Sequence, residues 1–160
     1  MALMHLPLLL RAAALALGLL ASPSHAQEAP ICMAAILAGK EHHTRIVLEV
    51  AHTPEQRAQG LMGRTHLAPH HGMLFVFEEA ARWPFWMHNT PLPLDIVPLD
   101  EEGRVLGHMA GTPYSQTLTP LPVPARRVLE LPAGTLEALG ALPPHGAIVL
   151  VGGAQCPSRR

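Results

Sequence analysis

A chain of 160 residues in which 49% are hydrophobic and 14% charged has the size and apolar content of one domain with an ordinary core, not of several. Eleven Lys/Arg against twelve Asp/Glu leave a formal charge of −1. With no basic stripe or like-charge run, the sequence argues against nucleic acid and acidic membrane surfaces as partners.

The first 26 residues read as a secretory signal peptide. Arg11 precedes the apolar run Ala12 to Ala21, and Ser24-His25-Ala26 offers a small-x-small cleavage site before Gln27. The run is too short to span a bilayer, which needs about 20 apolar residues. The expected product is a single β-rich domain over 27–160, with its core at about 46–151 and no stable membrane insertion once the leader is removed. Its expected location is the periplasm or the outside of the cell. Cys32 and Cys156, the two cysteines of the chain, stand near its two ends. Exported thiols are usually oxidised and domain ends often lie close together, so a disulfide between them is expected.

Met33–Leu37 and Thr44–Val50 are β-compatible runs joined by Ala38-Gly39-Lys40-Glu41, a hairpin signal. Thr53-Pro54-Glu55-Gln56 is the clearest helix start: Thr53 caps, Pro54 suits the first helical position and Gln56 completes a capping box. The helix is expected to end between Gly60 and Met62. The stretch from Gly72 to Asp100 then concentrates all three phenylalanines and both tryptophans of the protein. The core must be organised around it, because each such ring buries roughly 150–250 Å². Pro98 falls within the run Leu94–Leu99 and predicts an edge strand or a bulge there. Glu101-Glu102-Gly103 predicts a hairpin turn into Arg104–Met109. Residues 111–124, rich in proline, read as a long loop of the lid or binding type. Arg126–Leu131 is a further strand, Thr135–Leu139 a short helix and Ala147–Val151 a last strand. Eight short strands and two short helices predict a mostly β fold, a compact β-sandwich or jelly-roll-like barrel.

The polar knot His88-Asn89-Thr90, followed by Asp95, is where chemistry is expected. Asp95 is read as the one acidic residue flanked by apolar neighbours, with Asp100, Glu101 and Glu102 in a turn. It is either a general base with a raised pKa or an acceptor for the Asn89-Thr90 loop, or the partner of Arg57 or Arg64. Those two arginines stand seven apart, so a continued helix would project both from one face, either as a clamp for a carboxylate or phosphate or as buried salt bridges. Asn89 suits a turn as well as a pocket wall, and Trp86 adds an indole beside it. Ser115 and Ser158 lack a nucleophile-elbow context. Met87 and His88 carry the ligand types of a Cu(I) site, but strand alternation puts them on opposite faces. Methionines in apolar runs are commonly core filler. No cofactor is expected.

Several motifs together carry a resemblance. They are Thr53-Pro54-Glu55-x-Arg57 with Gly60-Leu61-Met62-x-Arg64, Gly72-Met73-Leu74-Phe75-x-Phe77, and Phe85-Trp86-Met87-x-Asn89-Thr90. These precede Pro93-Leu94-Asp95-Ile96, Asp100-x-x-Gly103 and Val128-Leu129-Glu130-Leu131-Pro132-Ala133-Gly134. In order and spacing the chain resembles the domain of unknown function 192 family, small and often exported proteins without an established activity. The resemblance implies a mostly-β sandwich of jelly-roll type. His88 stands where a lysine is usual, and Pro98 where the family has an aromatic or apolar strand residue. The leading reading is a binding or accessory module for a small molecule or a periplasmic protein, with Arg57, Arg64, Trp86, Asn89, Thr90 and Asp95 as candidate site residues. The alternatives are a small hydrolase or isomerase using Asn89, Asp95 and an arginine, and a periplasmic copper-binding protein using Met87 and His88.

Overall fold

A computed structural model describes residues 30–156. The expected signal peptide lies outside the described residues. Nine strands form in chain order: β1 Ile31–Ala38, β2 His43–Ala51, β3 His71–Ala81, β4 Pro84–Phe85, β5 Leu94–Leu99, β6 Met109–Gly111, β7 Thr119–Pro120, β8 Ala125–Pro132 and β9 Ala147–Ala154. Two short helices interrupt them, α1 Pro54–Gln59 and α2 Thr135–Ala138. Seven strands make one sheet in the order β6-β5-β8-β3-β2-β1-β9, and β4 pairs with β7 in a separate ribbon. The mostly β expectation holds. The sheet does not close into a barrel, because β6 and β9 end the order. A short link from Leu99 to Val105 and from Arg104 to Ala147 ties the end of β5 to β9. Gly103 makes this link possible: its φ is +86°, and a Cβ there would strike the Ile148 carbonyl.

Every strand pair in the large sheet is antiparallel except β2 with β3. A parallel pair needs a crossover, and α1 with the loop after it supplies that crossover. Thr53 caps α1 as its sequence predicts: its hydroxyl accepts from the Gln56 N–H, and the Gln56 side chain returns to the Thr53 N–H. The helix stops at Gln59, with Gly60 at φ +46°.

Alternation along the strands gives the sheet two apolar faces. Ile46, Leu48, Leu74, Val97, Leu129 and Leu131 pack on one face together with Leu136 of α2. Met73, Phe75, Phe77, Ile96 and Val128 point to the other, where Leu61, Phe85, Met87 and Leu121 cover them. Both faces are covered at the centre, which is why Leu94–Leu99 is buried at every position.

Two expectations need correction. β5 is an interior strand, not an edge, although it contains Pro98. The ladder from β5 to β6 runs only from Leu94 to Ile96, and the missing proline N–H falls beyond it, where the Pro98 carbonyl accepts from the Leu106 N–H. The region 111–124 is not a free loop. β7 pairs with β4, the Met87 N–H donates to the Ser115 carbonyl, and the Tyr114 N–H donates to the Thr90 carbonyl. Cys32 and Cys156 are joined in a disulfide with Cα atoms 5.2 Å apart.

Candidate functional site

The second apolar face is not filled throughout. Between the sheet and its cover lies a cleft of about 250 Å³, walled by Phe75, Phe77, Trp83, Phe85 and Trp86, with α1 and the turn Gly60–Met62 along one side and Glu130 among its lining residues. The local sequence explains each wall. Phe75 and Phe77 are two apart on β3 and so share a face. The Phe85 ring meets both edge-on, at centroid distances of 5.4 and 6.4 Å. Trp83 stacks on Phe77 at 4.4 Å. Gly60 lets the turn after α1 come down on the Phe75 ring, since a Cβ there would sit 3.3 Å from Phe75 Cζ.

Glu130 is the unusual residue of this cleft. β8 places Val128 and Glu130 on the cleft face and Leu129 and Leu131 on the other. Glu130 pairs with Met73 on one side and with Ile96 on the other, so apolar side chains flank it in both directions. It is 5% exposed, and its carboxyl has no hydrogen-bond or ion-pair partner among the described residues. Burial without a compensating donor disfavours the charged form and pushes its pKa up to about 8. At neutral pH the side chain is therefore mostly a neutral acid.

The other buried glutamate of this face has the opposite environment. Glu49 lies across Met73 from Glu130, because Glu49 and Glu130 both pair with Met73 on its two sides. Arg64 grips Glu49 with both terminal nitrogens, at 2.8 and 2.7 Å. This bidentate pair neutralises Glu49 and uses both terminal nitrogens of Arg64, whereas Glu130 has no such partner among the described residues.

The candidate residues from the sequence divide into two groups. Arg57, Trp86 and Thr90 line the cleft. Arg57 Nη1 donates to the carbonyls of His52 (2.6 Å) and Val76 (3.0 Å), and its guanidinium lies 5.1 Å above the Phe77 ring. Trp86 is 42% exposed at the mouth, and Thr90 is buried, its hydroxyl donating to the His88 carbonyl. Arg64, Asn89 and Asp95 do not join them. Because α1 ends at Gln59, Arg64 leaves the helix face of Arg57 and turns to Glu49. Asn89 adopts φ +51° in an exposed turn, donates to His88 Nε2 at 3.0 Å, and through its carbonyl accepts from the Gly63 N–H.

Asp95 is buried on the opposite face of the sheet. Its carboxylate accepts from the N–H groups of Gly134 and Leu136, both at 3.2 Å, and from His108 Nε2 at 3.0 Å. It thus caps α2 from β5, replacing the side-chain cap that Gly134 cannot supply. The expected acceptor role toward Asn89 and Thr90, and the pairing with Arg57 or Arg64, are not what the structure shows. A pocket uniting Asn89, Asp95 and an arginine does not form. Met87 is buried in the core, while the His88 ring stacks on Trp86 at 4.9 Å and contacts Gln116. The two side chains thus have separate surroundings, one in the core and one beside Trp86.

The family model for domain of unknown function 192, described as "Uncharacterized ACR", matches residues 35–143. The chain belongs to this family. Two solved structures share its fold at appreciable identity. A Sinorhizobium meliloti protein described as a candidate transcription regulator is 35% identical, with a TM-score of 0.69 over 74% of this chain and 93% of that one. A Novosphingobium aromaticivorans protein of unknown function is 31% identical, with a TM-score of 0.66 over 74% of this chain and 84% of its own. No curated protein matches the chain. Within the family motif that closes with Pro132-Ala133-Gly134, the glutamate between Leu129 and Leu131 is the residue the sequence reading passed over. The signal is a charged residue set among Val128, Leu129 and Leu131 in a strand, where burial without a partner is costly. Glu49, between Leu48 and Val50, gives the same signal. The sequence does not say which of the two has a partner.

Proposed function

We propose that the protein is an exported binding module whose recognition site is the aromatic cleft at Glu130. One observation carries this reading: a buried carboxyl without a protein partner opens into a preformed, ring-walled cleft. Leaving such a group unpaired costs stability, and groups of this kind concentrate at functional sites. A cleft of about 250 Å³ lies just below the usual range for ligand pockets, so it suits a small molecule or one side chain of a partner protein. The Cys32–Cys156 disulfide supports an oxidising compartment, and no helix among the described residues is long and apolar enough to cross a membrane.

Acid–base catalysis is the second reading, favoured by the elevated pKa of Glu130, which suits proton transfer near neutrality. It attaches to Glu130 and not to Asp95, whose oxygens are occupied by three donors. We place it second because no serine or cysteine is among the described residues lining the cleft and the Thr90 hydroxyl is engaged. A role in transcription regulation, the description given to the Sinorhizobium relative, has little support here, because a chain of formal charge −1 offers little attraction to a phosphate backbone.

The test is an amide NMR screen with mixtures of small amines, acids, alcohols and amides. Binding in the cleft moves the signals of Leu61, Phe75, Thr90 and Glu130 together. Shifts confined to other surfaces, or none across all four classes, would defeat the proposal.

A further inference from the structure

We infer that the cleft takes a small organic cation, a primary or quaternary ammonium whose charged head sits on the Glu130 carboxylate and whose apolar body lies against Phe75 and Phe85. The inference rests on the reading of the cleft as a binding site and adds the class of ligand.

Three observations point to a cation. Glu130 accepts no hydrogen bond from the protein, so a ligand that supplies N–H donors or a full positive charge gives the carboxylate the partner it lacks. The walls are aromatic, and ring faces attract cations, most strongly where water is excluded. The protein cations nearby are committed elsewhere: Arg64 is held on Glu49, and Arg57 is held on the His52 and Val76 carbonyls beside Phe77. Phe77 lies four residues along β3 from Met73, the partner of Glu130, which is roughly 13 Å in an extended strand. The guanidinium therefore stands at the far end of the cleft from the carboxyl.

Other ligand classes fit less well. An anion would be repelled by the negative ring faces and would find Arg57 and Arg64 already engaged. A neutral acceptor would take one hydrogen bond from the acid form and gain little from the ring faces.

The inference has a proton balance. Burial holds Glu130 protonated up to about pH 8, and binding of an ammonium stabilises the carboxylate, so the carboxyl proton passes to solvent. The charged and titratable groups nearest Glu130 on the cleft side are Glu49 on β2, His52 just after that strand, Arg57 on α1 and Arg64 in the turn after the helix. The cleft-facing residues of β3 and β5 in its row, Met73 and Ile96, carry none. Asp95 and His108 belong to the opposite face.

The experiment is titration of the folded protein with n-butylammonium, n-butanol and n-butyrate, followed by the fluorescence of Trp83 and Trp86. We expect the amine to bind at least tenfold more tightly than the alcohol at pH 7, and butyrate most weakly. Affinity for the amine should rise about tenfold per pH unit between pH 6 and 7 and level off above about pH 8, as linkage to one proton requires. Calorimetry in two buffers of different ionisation enthalpy should record close to one proton released. Glu130→Gln should abolish the preference for the amine and leave butanol binding in place. If butanol or butyrate equals the amine, or the affinity for the amine is flat with pH, the cation assignment is wrong while the cleft remains a binding site. If none of the three perturbs the tryptophans, the cation assignment fails, and the NMR screen then decides separately whether the cleft binds anything. The pH series uses wild-type protein alone, so it stands even if the variant fails to fold.

Discussion

Glu130→Gln tests the electrostatics of the cleft without any ligand. The carboxyl has a pKa pushed up to about 8 in the fold, against 4.5 for the free group. A folded-state pKa above the unfolded value means that the native state binds the proton more tightly. Wild-type stability is then full below about pH 4.5 and falls as pH rises, until the folded carboxyl also ionises at about 8. Each pH unit in that window removes about 1.36 kcal/mol. The loss is about 3 kcal/mol at pH 7 and about 5 kcal/mol above pH 8, large against a typical total of about 5–15 kcal/mol. Glutamine cannot ionise, so the variant lacks this term. It introduces an amide whose extra polar group costs about 1 kcal/mol at every pH. The variant should therefore be slightly less stable than wild type at pH 4 and more stable by about 2 kcal/mol at pH 7. Urea unfolding of both proteins at pH 4, 5, 6, 7 and 8 measures the difference, in which the other titrating groups cancel. Parallel curves, or a variant less stable than wild type at pH 7, would show that Glu130 is ionised and partnered in the fold, and would refute the account of the cleft.

Three further outcomes follow from partners seen in the structure. Asp95→Ala removes the acceptor for Gly134, Leu136 and His108 and should cost roughly 2–4 kcal/mol in thermal or urea melts. Asp95→Asn, which keeps one acceptor oxygen, should cost less, and an alanine variant as stable as wild type would overturn the capping role. Arg64→Ala leaves the Glu49 carboxylate buried without its bidentate partner and should destabilise by about 3 kcal/mol, whereas Arg64→Lys should recover only part of this, read from the same denaturant curves. Thiol titration of denatured, unreduced protein prepared from an oxidising compartment should find no free cysteine. Reduction should cost about 4–5 kcal/mol in the chain-entropy treatment of a loop whose ends are 124 residues apart, and two reactive thiols per chain would contradict the bond.

The sequence by itself determined the strand-rich class, the hairpin of β1 with β2, the capping box at Thr53 and the family. These are local signals, written in alternation, turn residues and spacing within a few positions of one another. It also marked Arg57, Trp86 and Thr90, which the fold gathers into one cleft. It placed Asp95 wrongly because a carboxylate's donors need not be its neighbours in the chain. The two backbone donors to Asp95 stand 39 and 41 residues away, brought there because β5 pairs with β8 and α2 follows β8. Helix length separated Arg57 from Arg64: a stop at Gln59, short of the expected end between Gly60 and Met62, sends the second arginine to β2. Pairing decided the rest. Glu49 and Glu130 read alike, each a glutamate between apolar neighbours in a strand. Only the register across Met73, with Arg64 arriving on one side and an open cleft on the other, makes one a satisfied ion pair and the other an acid without a partner.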